Sequence, residues 1–227
     1  MNPPPNFNRL AALYRWMEIA SFGPWLWRCR CVFLGEMAAC HHALVLGDGD
    51  GRFTARLLAS NPTVQIDAVD ASSAMLRALV RRAGSHAGRV RTHGSDARQL
   101  QPATFFQKPP CDLIVTHFFL DCLTTGEVQS LASSLRHVVT ADALWVVSEF
   151  AIPPTRFGRL IARPLVACLY QAFGLLTGLE VRTLPDHRSA LSAAGFTLKE
   201  RRNWLGGLLV SELWSASTTL IPSAVAE

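Results

Sequence analysis

The stretch from Leu44 to Phe53, which reads LVLGDGDGRF, decides the fold of this chain. Its apolar half ends at Gly47 and has the length of a buried strand, and a helix begins at Arg52. Glycine is required where a backbone turns tightly and where a ligand must approach without a Cβ atom in the way. The stretch therefore predicts a strand, a glycine-rich turn and a helix, with a ligand site at the turn.

The glycine spacing and the acids between the glycines indicate which ligand fits this turn. A dinucleotide-binding turn reads G-x-G-x-x-G, because the pyrophosphate lies over the helix N-terminus. Here Gly51 follows Gly49 one position too early for that pattern. Asp48 and Asp50 would place negative charge beside a phosphate, whereas a cationic sulfonium and an ammonium group tolerate carboxylates well. The turn favours S-adenosylmethionine over NAD.

Outward from this turn, short apolar or alternating segments are separated by helical segments. We predict strands at 43–46, 64–69, 89–93, 112–116 and 143–148, and helices at 52–60, 73–83 and 127–139. Such alternation with short connections predicts parallel strands with helices on both faces of the sheet. Ligands bind beyond the carboxyl ends of such strands, so the residues that follow each strand are the candidates for a site.

Two further polar segments follow the second and third predicted strands. Asp70 ends the second strand, where its carboxylate can accept hydrogen bonds from both ribose hydroxyls. Asp96 follows the third strand, where it can accept from an adenine amino group while the Ala97 N–H donates to the ring. These segments, in register after consecutive strands, predict one nucleoside-binding site together with the glycine turn.

These segments resemble the class I S-adenosylmethionine-dependent methyltransferase superfamily over about residues 43–150. The resemblance rests on LVLGDGDGRF, AVDASSAMLRAL, GSDARQL and DLIVTHFFLDCL. It implies a doubly wound α/β fold with a mainly parallel seven-stranded sheet whose last strand is antiparallel. Many members carry an acid two places before the first glycine of the turn, where this chain has Val45. The predicted cofactor contacts are Gly47, Asp48, Gly49, Asp50, Gly51, Asp70, Ala71, Met75, Asp96, Ala97 and Thr116.

The residues after the fourth strand are the candidates for catalysis. Methyl transfer is a displacement that needs a base only when the acceptor must lose a proton. His117 is the first candidate base, with lining of the cofactor pocket or packing against Phe118 as the alternative. Asp121 is the second candidate, with a helix-capping role as its alternative.

The remaining segments of this single predicted domain flank the cofactor-binding core at 43–150. Residues 1–42 form an N-terminal helical cap, with a helix from Phe7 to about Met37 that Gly23-Pro24 interrupts. Residues 151–195 form a helical lid insertion, and 196–216 contain the last two strands. In the lid, Arg156, Arg159 and Arg163 share one helix face, which indicates either a solvated face or a surface for a membrane or an apolar anionic substrate. Pro164 is expected to kink this helix.

Composition narrows the possible functions. The 227 residues are 49% hydrophobic and 17% charged, with a formal charge of +5 and scattered arginines, so no nucleic-acid partner is expected. Neither a secretory signal nor an apolar run of membrane-spanning length is visible, so we expect a cytoplasmic protein with reduced cysteines. The spacing of Cys29, Cys31, Cys40, His41 and His42 does not match paired metal ligands, and no metal is expected.

The sequence predicts S-adenosylmethionine-dependent methylation of a small acceptor, apolar or aromatic, at oxygen or carbon. A non-catalytic scaffold that binds the same cofactor is the first alternative, because of Val45 and the lack of an obvious base. A second alternative is another enzyme with the same pocket, such as an aminopropyl transferase or an NAD-dependent reductase. The oligomeric state and any peripheral membrane contact stay open.

Overall fold

The computed structural model describes residues 22–100, 110–177 and 181–216. Its strands are β1 His42–Leu46, β2 Gln65–Asp70, β3 Val90–Gly94, β4 Cys111–His117, β5 Val139–Phe150, β6 Phe196–Trp204 and β7 Leu209–Ala216. Its α-helices are α1 Trp25–Cys31, α2 Arg52–Ser60, α3 Ser73–Ala83, α4 Thr125–Arg136, α5 Arg163–Thr177 and α6 His187–Ala193. Short 3-10 helices span Gly84–Arg89, Ala97–Gln99, Leu120–Cys122 and Leu205–Gly207, and a π-helical turn spans Gly158–Ala162.

The described strands form one seven-stranded sheet in the order β3-β2-β1-β4-β5-β7-β6. Strands β1 to β5 pair in parallel, and β7 runs antiparallel to both β5 and β6. This arrangement confirms the predicted fold class, including the antiparallel last strand. The strand order reverses between β1 and β4, which is the place where sheets of this kind bind ligands.

Two apolar layers cover the two faces of the sheet, as a doubly wound fold requires. On one face, α4 and α6 pack over Trp145 and Trp214, both of which are buried. On the other face, α2 and α3 bury Phe53 and Leu79 against β1 and β4. The alternation of helices and strands read from the sequence therefore corresponds to two packed layers with the sheet between them.

Helix starts follow side-chain capping. The Ser72 hydroxyl accepts from the Met75 N–H at 3.2 Å, and α3 has the predicted bounds. For α4, the predicted start at Glu127 is two residues late, because Thr124 and Glu127 form a reciprocal capping box. In that box the Thr124 N–H donates to Glu127 Oε2 at 2.7 Å. A capping box places its glutamate inside the first turn, so the helix begins before it.

The segments at both ends of the core form a third apolar cluster, which joins α1 to the lid. Residues 7–21 of the predicted N-terminal helix lie outside the described residues. The break at Gly23-Pro24 is confirmed, whereas the helix ends at Cys31, short of the predicted Met37. The predicted kink at Pro164 takes the form of the π-helical turn at 158–162, which ends just before the start of α5. This widened turn lies where proline lacks an N–H and its ring crowds the preceding turn.

No described helix is long and apolar enough to cross a bilayer. Within 22–100, 110–177 and 181–216, no group of three or more His, Cys, Asp or Glu side chains is arranged to hold a metal ion. The cytoplasmic location, the absence of a metal and the division into segments stay predictions.

Candidate functional site

The loops that follow β1, β2 and β3 lie side by side at the carboxyl edge of the sheet. The Gly47 N–H donates to the Val69 carbonyl at 2.9 Å, which ties the first loop to the end of β2. The Ser95 N–H donates to the Asp70 carbonyl at 3.3 Å, which ties the third loop to the second. The three sequence segments that predicted one nucleoside site therefore converge in space.

The glycine turn needs its glycines for different reasons. All three have left-handed φ values, +67° at Gly47, +61° at Gly49 and +79° at Gly51. A Cβ atom at Gly47 would lie 2.3 Å from the Phe119 ring, and one at Gly51 would lie 2.6 Å from the Leu79 Cα. At Gly49 a Cβ atom would meet nothing within 4 Å. Space is therefore left beside the middle of the turn, where a ligand can approach the backbone.

Asp70 lies against this turn with its carboxylate held by the backbone. The Ser72 N–H donates to Asp70 Oδ1 at 2.8 Å, and the Gly49 N–H also donates to this carboxylate. Burial raises the pKa of Asp70 to about 6, and the neighbouring Asp48 contributes in the same direction. The geometry brings Asp70 and Gly49 together as the sequence predicted.

The two acids of the turn have different environments. Asp48 Oδ2 accepts from the Thr54 N–H at 2.8 Å and so caps the first turn of α2. Burial raises the pKa of Asp48 above its usual range. Asp50 instead pairs with Arg52 at 3.2 Å and with Arg82 at 2.7 Å. Asp48 is thus the acid of the turn that acts on Asp70, whose pKa its charge helps to raise, and Asp50 is engaged by two arginines.

The other predicted cofactor contacts fit less uniformly. The Arg98 guanidinium pairs with the Asp96 carboxylate, and its Nε is 3.0 Å from both oxygens. An adenine amino group would therefore have to donate to a carboxylate that already accepts from Arg98. Ala97 begins the short 3-10 helix that Asp96 caps. Thr116 is fully buried, and its hydroxyl accepts from the Trp145 indole at 3.0 Å inside the sheet. That hydrogen bond gives Thr116 a structural role, which does not favour the predicted ligand contact.

Ala71 and Met75 lie on either side of Ser72 at the start of α3. Ala71 is exposed in the loop after β2, and Met75 is 7% exposed in the first turn of the helix. Both lie within five residues of Asp70, so the geometry keeps them at the predicted nucleoside site. Their contact with the cofactor stays a prediction.

His117 ends β4 and lies deep between the sheet and the helices. It is 5% exposed, and its ring packs edge-on against Phe53, with ring centres 4.4 Å apart. Burial holds the pKa of His117 well below its usual range, and the Arg30 charge adds to this effect. A neutral, enclosed imidazole is poorly suited to take a proton from an acceptor, so the predicted base role is not favoured. The ring packs against Phe53, and the predicted packing against Phe118 stays a prediction.

Asp121 lies on the 3-10 turn after β4. Burial raises its pKa to about 6. The Tyr170 hydroxyl of α5 donates to the Asp121 backbone carbonyl at 2.8 Å, which places this turn under the lid. A carboxylate with a pKa near 6 is ionised at neutral pH and still basic enough to accept a proton. Of the two predicted catalytic residues, Asp121 has the better-suited environment.

Glu149 is a site residue that the sequence analysis missed. It lies near the carboxyl end of β5 and is 2% exposed. Glu149 Oε1 accepts from the N–H groups of Phe119 and Leu120, at 3.1 and 2.8 Å, and so fixes the turn that carries Asp121. Burial raises the pKa of Glu149 well above its usual range, and the Asp121 charge adds to it. The rule that selected Asp70, a polar residue at a strand's carboxyl end, would also have selected Glu149.

The crevice at the strand-order reversal is rich in acids. Asp48, Asp70, Asp121 and Glu149 come from the carboxyl ends of four adjacent strands; the Asp48 charge helps to raise the pKa of Asp70, and the Asp121 charge helps to raise that of Glu149. A cation that enters this crevice replaces that repulsion with attraction. The electrostatics therefore favour a positively charged ligand and oppose a pyrophosphate.

An aromatic cluster lies beneath the lid, next to this crevice. Phe22 and Phe118 both pack on Phe150, with ring centres 5.3 and 5.2 Å apart. On the outer side of the lid, Leu160 is 74% exposed and Ile161 is 54% exposed. The exposed Arg156, Arg159 and Arg163 lie along the same segment. This pattern is compatible with peripheral membrane contact, which stays a prediction.

Residues 44–144 match the family described as "Methyltransferase domain", a range that contains the glycine turn, Asp70, Asp96 and Asp121 and ends before Glu149 and the lid. The resemblance to class I methyltransferases seen in the sequence is confirmed for this part of the chain. No curated protein is similar enough in sequence to match the chain.

Solved structures of methyltransferases share the fold. An O-methyltransferase family protein from Burkholderia thailandensis superposes with a TM-score of 0.70 at 14% identity, over 93% of this chain and 61% of its own. Mitomycin 7-O-methyltransferase MmcR gives 0.65 at 13% identity, over 93% and 61%. Human N-acetylserotonin methyltransferase, solved in complex with SAM, gives 0.61 at 18% identity, over 93% and 58%. The chain thus spans less than two thirds of the length of these proteins.

Proposed function

We propose that this chain, which carries a methyltransferase domain, binds S-adenosylmethionine in the acidic crevice and methylates a small apolar or aromatic acceptor. The observation that carries the proposal is the acidic crevice beside an open glycine turn at the strand-order reversal. S-adenosylmethionine combines a ribose, a sulfonium and an ammonium group, and each has a suitable partner there. The names of the similar structures support oxygen as the methylated atom.

The residues present fit this cofactor in chemistry and space. Asp70 can accept from the ribose hydroxyls while the Gly49 and Ser72 N–H groups hold its carboxylate. The open side of Gly49 lets a ligand lie against the backbone. Asp48 borders the same turn and offers a carboxylate to an ammonium group. A nucleoside-bearing cation therefore has polar partners along the whole turn.

The reaction asks three things of this chain. When bound, S-adenosylmethionine supplies an electrophilic methyl group. The crevice fixes the donor, and the aromatic side chains of Phe22, Phe118 and Phe150 exclude water and receive an apolar acceptor. Asp121 accepts the proton of an acceptor hydroxyl, and Glu149 holds the turn that carries Asp121. Alignment of the donor and the acceptor supplies most of the rate enhancement, and proton transfer to Asp121 supplies the remainder.

Calorimetry with S-adenosylhomocysteine tests the binding part of this proposal. Wild-type protein is expected to bind it, and Asp70→Ala is expected to weaken binding by about 1–3 kcal/mol through loss of a buried acceptor of ribose hydrogen bonds. Wild-type affinity in the Asp70→Ala variant would contradict the proposed ribose contact. Absence of binding to the wild type would refute the methyltransferase assignment itself. Binding without turnover on any acceptor panel would instead support the scaffold alternative.

The pKa of Asp70 also predicts how this binding depends on pH. The ionised carboxylate is the better acceptor, and the pKa of Asp70 in the free protein is raised to about 6. Affinity for S-adenosylhomocysteine is therefore expected to fall as pH drops below this value, approaching about tenfold per pH unit. Asp70→Asn, which cannot ionise, is expected to bind more weakly and with a flatter pH dependence. An equally steep dependence in Asp70→Asn would assign the titration to another group.

A further inference from the structure

The π-helical turn and α5 of the lid carry large apolar side chains on their outer side. Leu160 and Leu175 are 74% and 89% exposed, and Ile161 and Leu165 are 54% and 37% exposed. A helix that is apolar on all sides is normally buried, and exposed apolar patches on a folded protein mark surfaces for a partner or a membrane. These four side chains therefore indicate a contact that lies outside the described residues.

The inner side of the same segment is already packed without them. Ala162 and Val166 are buried in the apolar cluster that also contains Phe118. The Tyr170 hydroxyl donates to the Asp121 backbone carbonyl at 2.8 Å, which fixes α5 against the turn after β4. The four outer side chains are therefore not needed to hold the lid on the rest of the domain, and their apolar character requires another explanation.

Three arginines alternate along the chain with these apolar residues. Arg156, Arg159 and Arg163 are exposed, and no carboxylate among the described residues forms an ion pair with any of them. Residues 150–179 contain no Asp, Glu, Lys or His, so these arginines are the only charges of the segment. An arginine can lay its aliphatic stem along an apolar surface while its guanidinium reaches a polar layer. The charge of the segment is thus complementary to an anionic partner.

We propose that the outer lid surface, made up of these four apolar and three arginine side chains, docks on an anionic lipid bilayer. A bilayer offers acyl chains to the apolar side chains and lipid phosphates to the guanidinium groups. A second copy of this chain is a poorer partner, because a two-fold interface would bring two sets of arginines together with no acid from either segment. The proposal goes beyond the proposed function and holds whichever cofactor the crevice binds.

Vesicle sedimentation with the whole chain tests this surface. Wild-type protein is expected to bind vesicles of equal parts phosphatidylcholine and phosphatidylglycerol about 100-fold more tightly than phosphatidylcholine alone, since each arginine near an anionic surface contributes about fivefold. Leu160→Gln is expected to weaken binding by about tenfold, and Arg159→Gln by about fivefold. Val80→Gln and Arg81→Gln, at exposed positions of α3, are the matched controls and are expected to leave binding unchanged.

Cys168 of α5 allows a second measurement at the proposed surface itself. It is exposed, whereas the other five cysteines are buried or half-buried, so a polarity-sensitive fluorophore attaches to it selectively. Its emission is expected to shift to shorter wavelength when the mixed vesicles are added, because the bilayer interface is less polar than water. The shift should be lost in Leu160→Gln at the same lipid concentration and restored at about tenfold more lipid.

Several outcomes would overturn the docking surface while the proposed function stands. One is failure of the wild type to bind the mixed vesicles, and another is an equal loss of binding in the lid variants and the α3 controls. A wild-type dimer that Leu160→Gln converts to a monomer in sedimentation velocity would assign the surface to a second copy of the chain. A lower melting temperature in Leu160→Gln, with vesicle binding unchanged, would assign it to a segment of the chain itself.

Discussion

Gly51→Ala is expected to lower the free energy of unfolding by about 2–5 kcal/mol, the largest stability effect among the substitutions considered. The φ of +79° is costly for alanine, at about 1–2 kcal/mol. The added Cβ atom would also lie 2.6 Å from the Leu79 Cα and 2.6 Å from its Cγ. Overpacking of this kind costs about 1–3 kcal/mol, and a helix backbone cannot move aside as a flexible side chain can. Urea denaturation followed by circular dichroism measures the loss.

Gly49→Ala is the matched control, since it lies in the same turn with a similar φ of +61° and open space around its Cβ position. Its stability loss is expected to be limited to the backbone term of about 1–2 kcal/mol. Ligand binding should show the opposite ranking. Measured on the folded fraction of each variant, the loss of affinity should be larger for Gly49→Ala, because its new methyl group fills the side of the turn assigned to the ligand. Equal stability losses in the two variants would mean that helix packing does not explain Gly51.

The local parts of the fold could be predicted because their signals lie within a few residues. Helix α2 and helix α3 have the predicted bounds, since a glycine turn and a serine cap mark their starts. Strand β5 was predicted at 143–148 but extends over Val139–Phe150. Its first residues pair with β4 across a register shift near Cys111, and such an irregularity has no signal in the sequence of either strand. The residues at which a strand begins and ends therefore depend on its hydrogen bonds to the neighbouring strand.

The loops that would hold the nucleoside could be predicted from the sequence, whereas the approach of helix α1 to the site could not. Gly47, Asp70 and Asp96 follow consecutive strands, so parallel pairing alone predicts that their loops meet. Arg30 lies over the Phe118 ring from a helix that precedes β1, and its position depends on how α1 packs on the sheet. The Cys29 carbonyl accepts from the Ser148 and Ser211 hydroxyls at 3.1 and 2.8 Å, which fixes this packing. Contacts across more than a hundred residues of chain leave no periodic pattern to read.

Asp121→Asn is expected to lower kcat by about 100-fold or more for an acceptor that must lose a proton, because general-base catalysis contributes about 10²–10⁴-fold. Since burial raises the pKa of Asp121 to about 6, wild-type kcat is expected to rise as pH increases through that value and then level off. The variant should lose this rise. S-adenosylhomocysteine affinity should stay unchanged, and the exposed Asp142→Asn should retain both kcat and its pH profile.

Glu149 decides between two versions of this mechanism, because it is the other acid near the acceptor. The Asp121 charge helps to keep Glu149 protonated, so Asp121 is the group that ionises first. The amide introduced by Glu149→Gln would keep an oxygen for the Phe119 and Leu120 N–H groups and would mimic a neutral acid, so this variant is expected to retain most of kcat and the same pH midpoint. If Glu149→Gln loses activity while Asp121→Asn keeps it, the proton acceptor is Glu149. If both variants keep full activity with the wild-type pH profile, neither acid takes the proton, and alignment of donor and acceptor carries the reaction.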